Sequence, residues 1–169
     1  MKKIFKVLGI IAIIALIGFS FTTCDDDSGG DGNGNGNGNG GSGNITWTAV
    51  ADSTFGTSII FAIAYGNDKF VAGGYNGKMA TSMDGTIWTA VADSTFGTSS
   101  NSHINAIAYS NGKFVAGGAD GKMATSTDGT TWTVVANNTF TSYIYAIAYG
   151  NGKFVAGGSG GKMAYLSDN

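Results

Sequence analysis

Few side chains in this sequence can act as acids, bases or nucleophiles. There is one histidine, His103, one cysteine, Cys24, and eleven aspartates, with neither Glu nor Arg. A general base or a metal ligand works only beside suitable partners. His103 stands among Asn101, Ser102 and Ile104, so it reads as an ordinary loop residue. A glycosidase built on two carboxylates would have to rely on Asp alone. Yet Asp68, Asp84, Asp120, Asp128 and Asp168 all fall in short turn sequences, where a carboxylate accepts hydrogen bonds from the turn backbone. There is no Asp-x-Asp-x-Asp run for calcium, and no glycine-rich loop leads into a helix to cradle phosphate. The expectation is no catalytic residue, no metal and no cofactor, with recognition left to aromatic side chains.

Composition narrows the partners. Charged residues make up 12% of the 169-residue chain and aromatics another 12%, with 29 Gly and no Pro. Such a mixture favours short strands joined by tight turns over helices. From residue 45 onward six Lys balance seven Asp, which leaves no basic stripe of the kind a phosphate backbone requires. Nucleic acid is therefore not expected as a partner.

The first 24 residues read as a targeting segment. Lys2, Lys3 and Lys6 precede an apolar or Gly run over residues 7–19, which is shorter than the ~20 residues that span a bilayer. Phe21-Thr22-Thr23-Cys24 follows. This resembles a bacterial lipoprotein signal, in which the cysteine is acylated and becomes the mature N-terminus. Phe21 replaces the usual Leu and Thr23 the usual small residue; an uncleaved signal anchor is the alternative. The resemblance implies lipid attachment at Cys24 and a place in the bacterial cell envelope, tethered to a membrane. Residues 25–44, DDDSGGDGNGNGNGNGGSGN, contain no side chain able to build a core and read as a flexible spacer about 25 Å across by the random-coil estimate.

The remainder, residues 45–169, is three copies of one unit. FAIAYGNDKFVAGGYNGKMATSMDGTIWTAV, NAIAYSNGKFVAGGADGKMATSTDGTTWTVV and YAIAYGNGKFVAGGSGGKMAYLSDN align throughout. Lys69, Lys113 and Lys153 are equivalent, so the period is 44 and then 40 residues, that of a four-stranded propeller blade. In the first unit the strands are expected at 61–65, 70–73, 78–82 and 87–91. Asn-Gly, Asn-Asp, Asp-Gly and Gly-Gly lie between them, the dipeptides of tight hairpins. Along the first strand Ala62 and Ala64 alternate with Phe61, Ile63 and Tyr65. Neither face is polar, which suits a sheet stacked between two neighbours. The fold class expected is all-β: three four-stranded up-and-down propeller blades, over about 59–91, 103–135 and 143–169 joined with 45–50.

The turn before the last strand is the most specific motif. Ser82-Met83-Asp84-Gly85-Thr86-Ile87-Trp88 and Ser126-Thr127-Asp128-Gly129-Thr130-Thr131-Trp132 resemble the Asp-box, or BNR repeat, of sialidase-type propellers, one residue shorter than its usual form. The third copy is split, with Asp168 near one end of the sequence and Trp47 at the start of the repeats. In the resembled families the motif is structural. Their arginine cluster cannot be carried over to a chain that has no Arg. Three blades are fewer than the four to eight of a closed ring. We therefore expect two chains to form a six-bladed ring, residues 45–50 of one beside 162–165 of the other. A compact three-bladed monomer and a relic of a longer array are the other outcomes.

The copies differ most between the fourth strand and the next first strand. There Phe55, Phe96 and Phe140 recur after Ser-Thr or Asn-Thr. Each either plugs a blade end or joins a ring of aromatics that stacks on a ligand. Tyr75, Tyr143 and Tyr145 also vary between copies and could contribute. Loops on a rigid scaffold are where recognition usually sits. The sequence thus points to a membrane-tethered, non-catalytic binding or scaffolding module with a protein or glycan ligand; a glycan-processing enzyme is the rival class.

Overall fold

The computed structural model describes residues 46–167. Cys24, the Gly/Asn-rich spacer and Asp168 lie outside the described residues.

The described chain is all-β. Strands β1 (Ile60–Gly66), β2 (Lys69–Gly74), β3 (Met79–Ser82) and β4 (Thr89–Ala90) form one antiparallel sheet in chain order. Strands β5 (Ile104–Ser110), β6 (Lys113–Gly118), β7 (Met123–Ser126) and β8 (Thr133–Val134) form the second. Strands β9 (Ile144–Gly150), β10 (Lys153–Gly158) and β11 (Met163–Ser167) form a third sheet of three strands. Residues 46–50 form no strand, and Trp47 is 92% exposed.

The turns obey their sequences. Asn67 and Asp68 both have positive φ, as do Asn111 with Gly112 and Asn151 with Gly152. Two left-handed residues in a row make the turn whose twist matches flanking strands. The fourth strands are shorter than the expected 87–91. The Ile87 amide is taken by Asp84 Oδ1 at 2.8 Å and the Trp88 indole by the Gly85 carbonyl at 3.0 Å. With the Ile87 amide committed to the turn, the ladder pairs only Thr89 and Ala90, and Val91 extends it by donating to the Met79 carbonyl at 2.8 Å.

Apolar side chains between successive sheets hold the blades together. Val71 and Met79 of the first sheet are buried with Ile107, Phe114 and Trp132 of the second. Val115 and Met123 of the second meet Ile144, Phe154 and Ala156 of the third. Burying apolar area is worth about 25 cal/mol per Å², and here it occurs face to face, as the two-faced apolar pattern requires. Among the described residues no further sheet covers the outward faces of the first and third sheets: Ile63 and Tyr65 at one end and Val155, Met163 and Tyr165 at the other are exposed, while Phe55 is seated on Ala72 and Ala80.

Candidate ligand-binding face

Two clusters of polar and aromatic side chains stand at opposite ends of the strands. The first is the Ser-x-Asp-Gly turn between the third and fourth strands of a sheet. Asp84 Oδ1 accepts from Ser82 Oγ at 3.0 Å and from the amides of Thr86 and Ile87 at 2.8 Å each. Ser82 Oγ in turn accepts from the Gly85 amide at 2.9 Å. The second sheet repeats this around Asp128, with Ser126 Oγ at 3.0 Å and the amides of Thr130 and Thr131 at 2.7 Å. Gly85 and Gly129 take φ of 76° and 75°, which a side chain disfavours. The backbone amides, Ile87 first for Asp84 and Thr131 first for Asp128, hold both carboxyls far below the usual carboxylate range. A carboxylate so committed stays ionised and is unsuited to give a proton. Trp132 Nε1 donates to the Gly129 carbonyl at 3.1 Å, and its ring is buried between sheets, whereas Trp88 is half-buried.

The two turn types at this end also join neighbouring blades. Lys69 Nζ reaches the Asp128 carbonyl at 2.8 Å, and Asn67 Nδ2 the Thr127 carbonyl at 3.4 Å.

The opposite end carries the aromatic cluster. Tyr75 follows β2, His103 precedes β5, Tyr143 precedes β9 and Tyr145 is near its start. The His103 ring lies 4.5 Å from that of Tyr75, 5.8 Å edge-on from Phe61, and 6.5 Å from that of Tyr143 in a stacked arrangement. Tyr143 and Tyr145 stack in turn at 5.8 Å with their planes 4° apart. Ser159 Oγ donates to the Tyr145 hydroxyl at 3.5 Å. Backbone bonds fix the row: the Tyr75 amide donates to the Ile59 carbonyl at 2.9 Å, the Ala119 amide to that of His103 at 2.9 Å, and the Ser159 amide to that of Tyr143 at 2.8 Å. Phe61 and Tyr145 are exposed, while Tyr75, His103 and Tyr143 are half-buried. His103 Nδ1 and Asn76 Oδ1, both buried, have no hydrogen-bond partner among the described residues.

Of the residues considered for recognition, Tyr75, Tyr143 and Tyr145 converge on one row through a residue not expected there, His103. Its ring position depends on how far one sheet is offset from the next, which no local sequence signal encodes. Phe55, Phe96 and Phe140 do not join this row. They are 1%, 1% and 7% exposed, so the reading of them as a ligand-stacking ring is corrected. Each is drawn into the apolar space beside a sheet, Phe55 on Ala72 and Ala80, Phe96 and Phe140 between sheets. Lys78 Nζ bonds the Phe55 carbonyl at 2.9 Å and Lys122 Nζ that of Phe96 at 2.6 Å. Among the described residues no three His, Cys, Asp or Glu side chains group as metal ligands.

No protein-family model matches the chain, and no curated protein does. Solved structures do match. The WD40 β-propeller domain of Doa1 superposes with a TM-score of 0.51 at 12% identity over 66% of this chain and 38% of that one. The chain thus spans less than half the length of the Doa1 chain. The computationally designed Ika4 protein gives a TM-score of 0.39 at 16% identity over 67% and 93% of the two chains. PorZ, a bacterial surface component of the type-IX secretion system of Porphyromonas gingivalis, gives 0.38 at 12% identity over 65% and 16%. The likeness to Doa1, with stacked antiparallel sheets in chain order, gives the chain the fold of a β-propeller.

Proposed function

We propose that the chain is a lipid-tethered, non-catalytic binding module of the bacterial cell envelope, and that the row Phe61, Tyr75, His103, Tyr143 and Tyr145 is its ligand face. The observation that carries this reading is the contact of five rings drawn from three blades, two of the contacts stacked. Aromatic rings supply large, stiff contact area at small entropic cost, and their faces suit sugar rings or apolar protein side chains. A glycan ring fits such a face; a protein loop is the other ligand class. Support for a non-catalytic role comes from Asp84 and Asp128, whose carboxylates are occupied by turn amides. The resemblance of Phe21-Thr22-Thr23-Cys24 to a lipoprotein signal supports the tether.

The test titrates the full chain in detergent with neutral and N-acetylated envelope oligosaccharides, following tyrosine and tryptophan fluorescence. Binding is expected, and Tyr143→Ala is expected to weaken it at least about tenfold. Binding unchanged in Tyr75→Ala, Tyr143→Ala and Tyr145→Ala alike would remove the face from consideration. Hydrolysis of chromogenic glycosides, abolished by one Asp→Asn change, would reverse the non-catalytic reading. Incorporation of a labelled fatty acid, lost in Cys24→Ser, checks the tether.

A further inference from the structure

Both interfaces between sheets are built from the same parts, with one exception. At the first, Phe96 and Trp132 are buried with Val71 and Met79 on one side and Phe114, Ala116 and Ala124 on the other. At the second, Phe140 takes the place of Phe96, Val115 and Met123 that of Val71 and Met79, and Phe154, Ala156 and Ala164 complete the set. The tryptophan has no counterpart there. A cavity of about 120 Å³ opens instead, lined by Val115, Met123, Val135, Phe140, Phe154 and Ala164 among others. Those side chains correspond to the ones around Trp132.

The matching tryptophan is Trp47, equivalent to Trp88 and Trp132 in the repeat and 92% exposed, where Trp132 is 6% exposed. The strand that would carry it is also missing from the third sheet. β11 bonds β10 along one edge; along the other, where β4 and β8 stand in the other sheets, no strand lies among the described residues.

The chain's own geometry says which sheet residues 47–50 belong to. Trp88 precedes Phe96 by eight residues, Trp132 precedes Phe140 by eight, and Trp47 precedes Phe55 by eight. In both internal cases the tryptophan end belongs to one sheet and the phenylalanine fills the interface with the following sheet. Phe55 is already seated on Ala72 and Ala80 of the first sheet. Residues 47–50 therefore belong to a sheet stacked on the outer face of the first, and among the described residues no sheet stands there.

We propose that a second copy of the chain supplies it. Two chains associate head to tail at both ends into a six-bladed ring, each lending residues 47–50 as the fourth strand of the other's third sheet, with Trp47 filling the cavity. The free faces are the two halves of the interface already made inside the chain. Met163 is 72% exposed where its equivalent Met79 is 2% exposed. A Cβ built on Gly73 or Gly117 would meet Ile104 or Ile144, while one on the equivalent Gly157 meets nothing within 4 Å. Ile60 and Ile63 of the second copy are the matching side chains for that opening. Lys153 is placed to reach the Asp84 carbonyl of the second copy, as Lys69 reaches that of Asp128. Two chains give six blades, within the range of closed rings, and three would give nine, outside it.

Cross-linking and sedimentation of the full chain in mild detergent test this, with Cys24→Ser so that the only thiols are introduced ones. The pairing of Thr81 with Thr89 and Ala80 with Ala90 sets Thr48 opposite Tyr165. Chains carrying Thr48→Cys, mixed with chains carrying Tyr165→Cys under mild oxidation, are expected to yield a covalent pair of twice the chain mass. A chain carrying both substitutions is expected to yield the same pair and no ladder. Trp47→Ala removes an exposed side chain, so the single chain keeps its melting transition, while self-association weakens at least about tenfold. A disulfide formed within one chain, a ladder of larger species, or a monomer that stays uncross-linked at tens of micromolar would each overturn the proposal.

Discussion

Ile104 occupies the space that a side chain at Gly73 would need: a Cβ there would stand 2.6 Å from Ile104 Cγ2 and 3.0 Å from its Cβ. Gly117 stands to Ile144 in the same way, at 2.8 Å. These glycines are required for close approach of two sheets, and their φ plays no part. Because a β-branched side chain cannot swing aside, Gly73→Ala and Gly117→Ala are each expected to destabilise the fold by about 1–3 kcal/mol. Urea unfolding at low protein concentration measures it. Gly157→Ala is expected to leave that midpoint in place, since nothing lies within 4 Å of its Cβ position. Three equal midpoints would refute the account.

Acid stability reports on the turn carboxylates. The amides of Ile87 and Thr131 foremost hold the carboxyls of Asp84 and Asp128 below the usual range. A folded value lower than the unfolded one contributes stability above about pH 4, which is lost as pH falls below that toward the folded value. The melting temperature of the native chain is therefore expected to fall between about pH 4 and pH 2. The double variant Asp84→Asn, Asp128→Asn is expected to start lower at neutral pH and to lose less over that interval. Parallel curves for the two proteins would count against the hydrogen bonds as the source.

Phe96 and Tyr145 separate core from surface. Phe96→Ala empties a buried site between the first and second sheets and is expected to cost about 3–5 kcal/mol. Tyr145→Ala alters an exposed ring and is expected to stay within about 0.5 kcal/mol. Denaturant midpoints for the two variants decide it, and comparable losses would contradict the assignment of Phe96 to the core.

The blades were legible in the sequence because their information is local. Period-two alternation, Asn-Gly dipeptides and the Ser-x-Asp-Gly turn each act within a few residues, and the first three strands of every unit lie where the pattern puts them. The fourth strand is shorter than its pattern because the Asp84 turn claims the Ile87 amide, a competition between two local motifs. Tyr75, Tyr143 and Tyr145 were legible as candidates, but their meeting through His103 was not. Tyr75 and His103 are 28 residues apart and meet at 4.5 Å only because successive sheets stack with a fixed offset. Phe55, Phe96 and Phe140 left two readings open for the same reason: a recurring aromatic before a strand looks alike whether it turns inward or outward, and only the stacked neighbour decides.

The same substitution made at Trp88 and at Trp132 measures what a neighbouring blade contributes. Trp132 is buried with Val71, Met79 and Phe96, side chains of the preceding blade and its outgoing loop. Trp88 packs with Phe55, Ala72 and Ala80 and lies 6.4 Å from the Phe70 ring, all of them in its own blade or the loop leading into it. Both indoles make the same bond to a turn carbonyl, at 3.0 Å and 3.1 Å, so that bond cancels in the comparison. Stacked repeats draw their stability from intrinsic and nearest-neighbour terms. Trp132→Ala is therefore expected to cost about 3–5 kcal/mol at every protein concentration, and Trp88→Ala clearly less when the chain is dilute. If a second copy covers the outer face, the Trp88→Ala penalty must grow with concentration, because binding to the folded state adds stability by mass action. Thermal melts from nanomolar to tens of micromolar protein read this directly. Equal penalties for the two variants in dilute solution would show that the preceding blade adds nothing to the burial of Trp132.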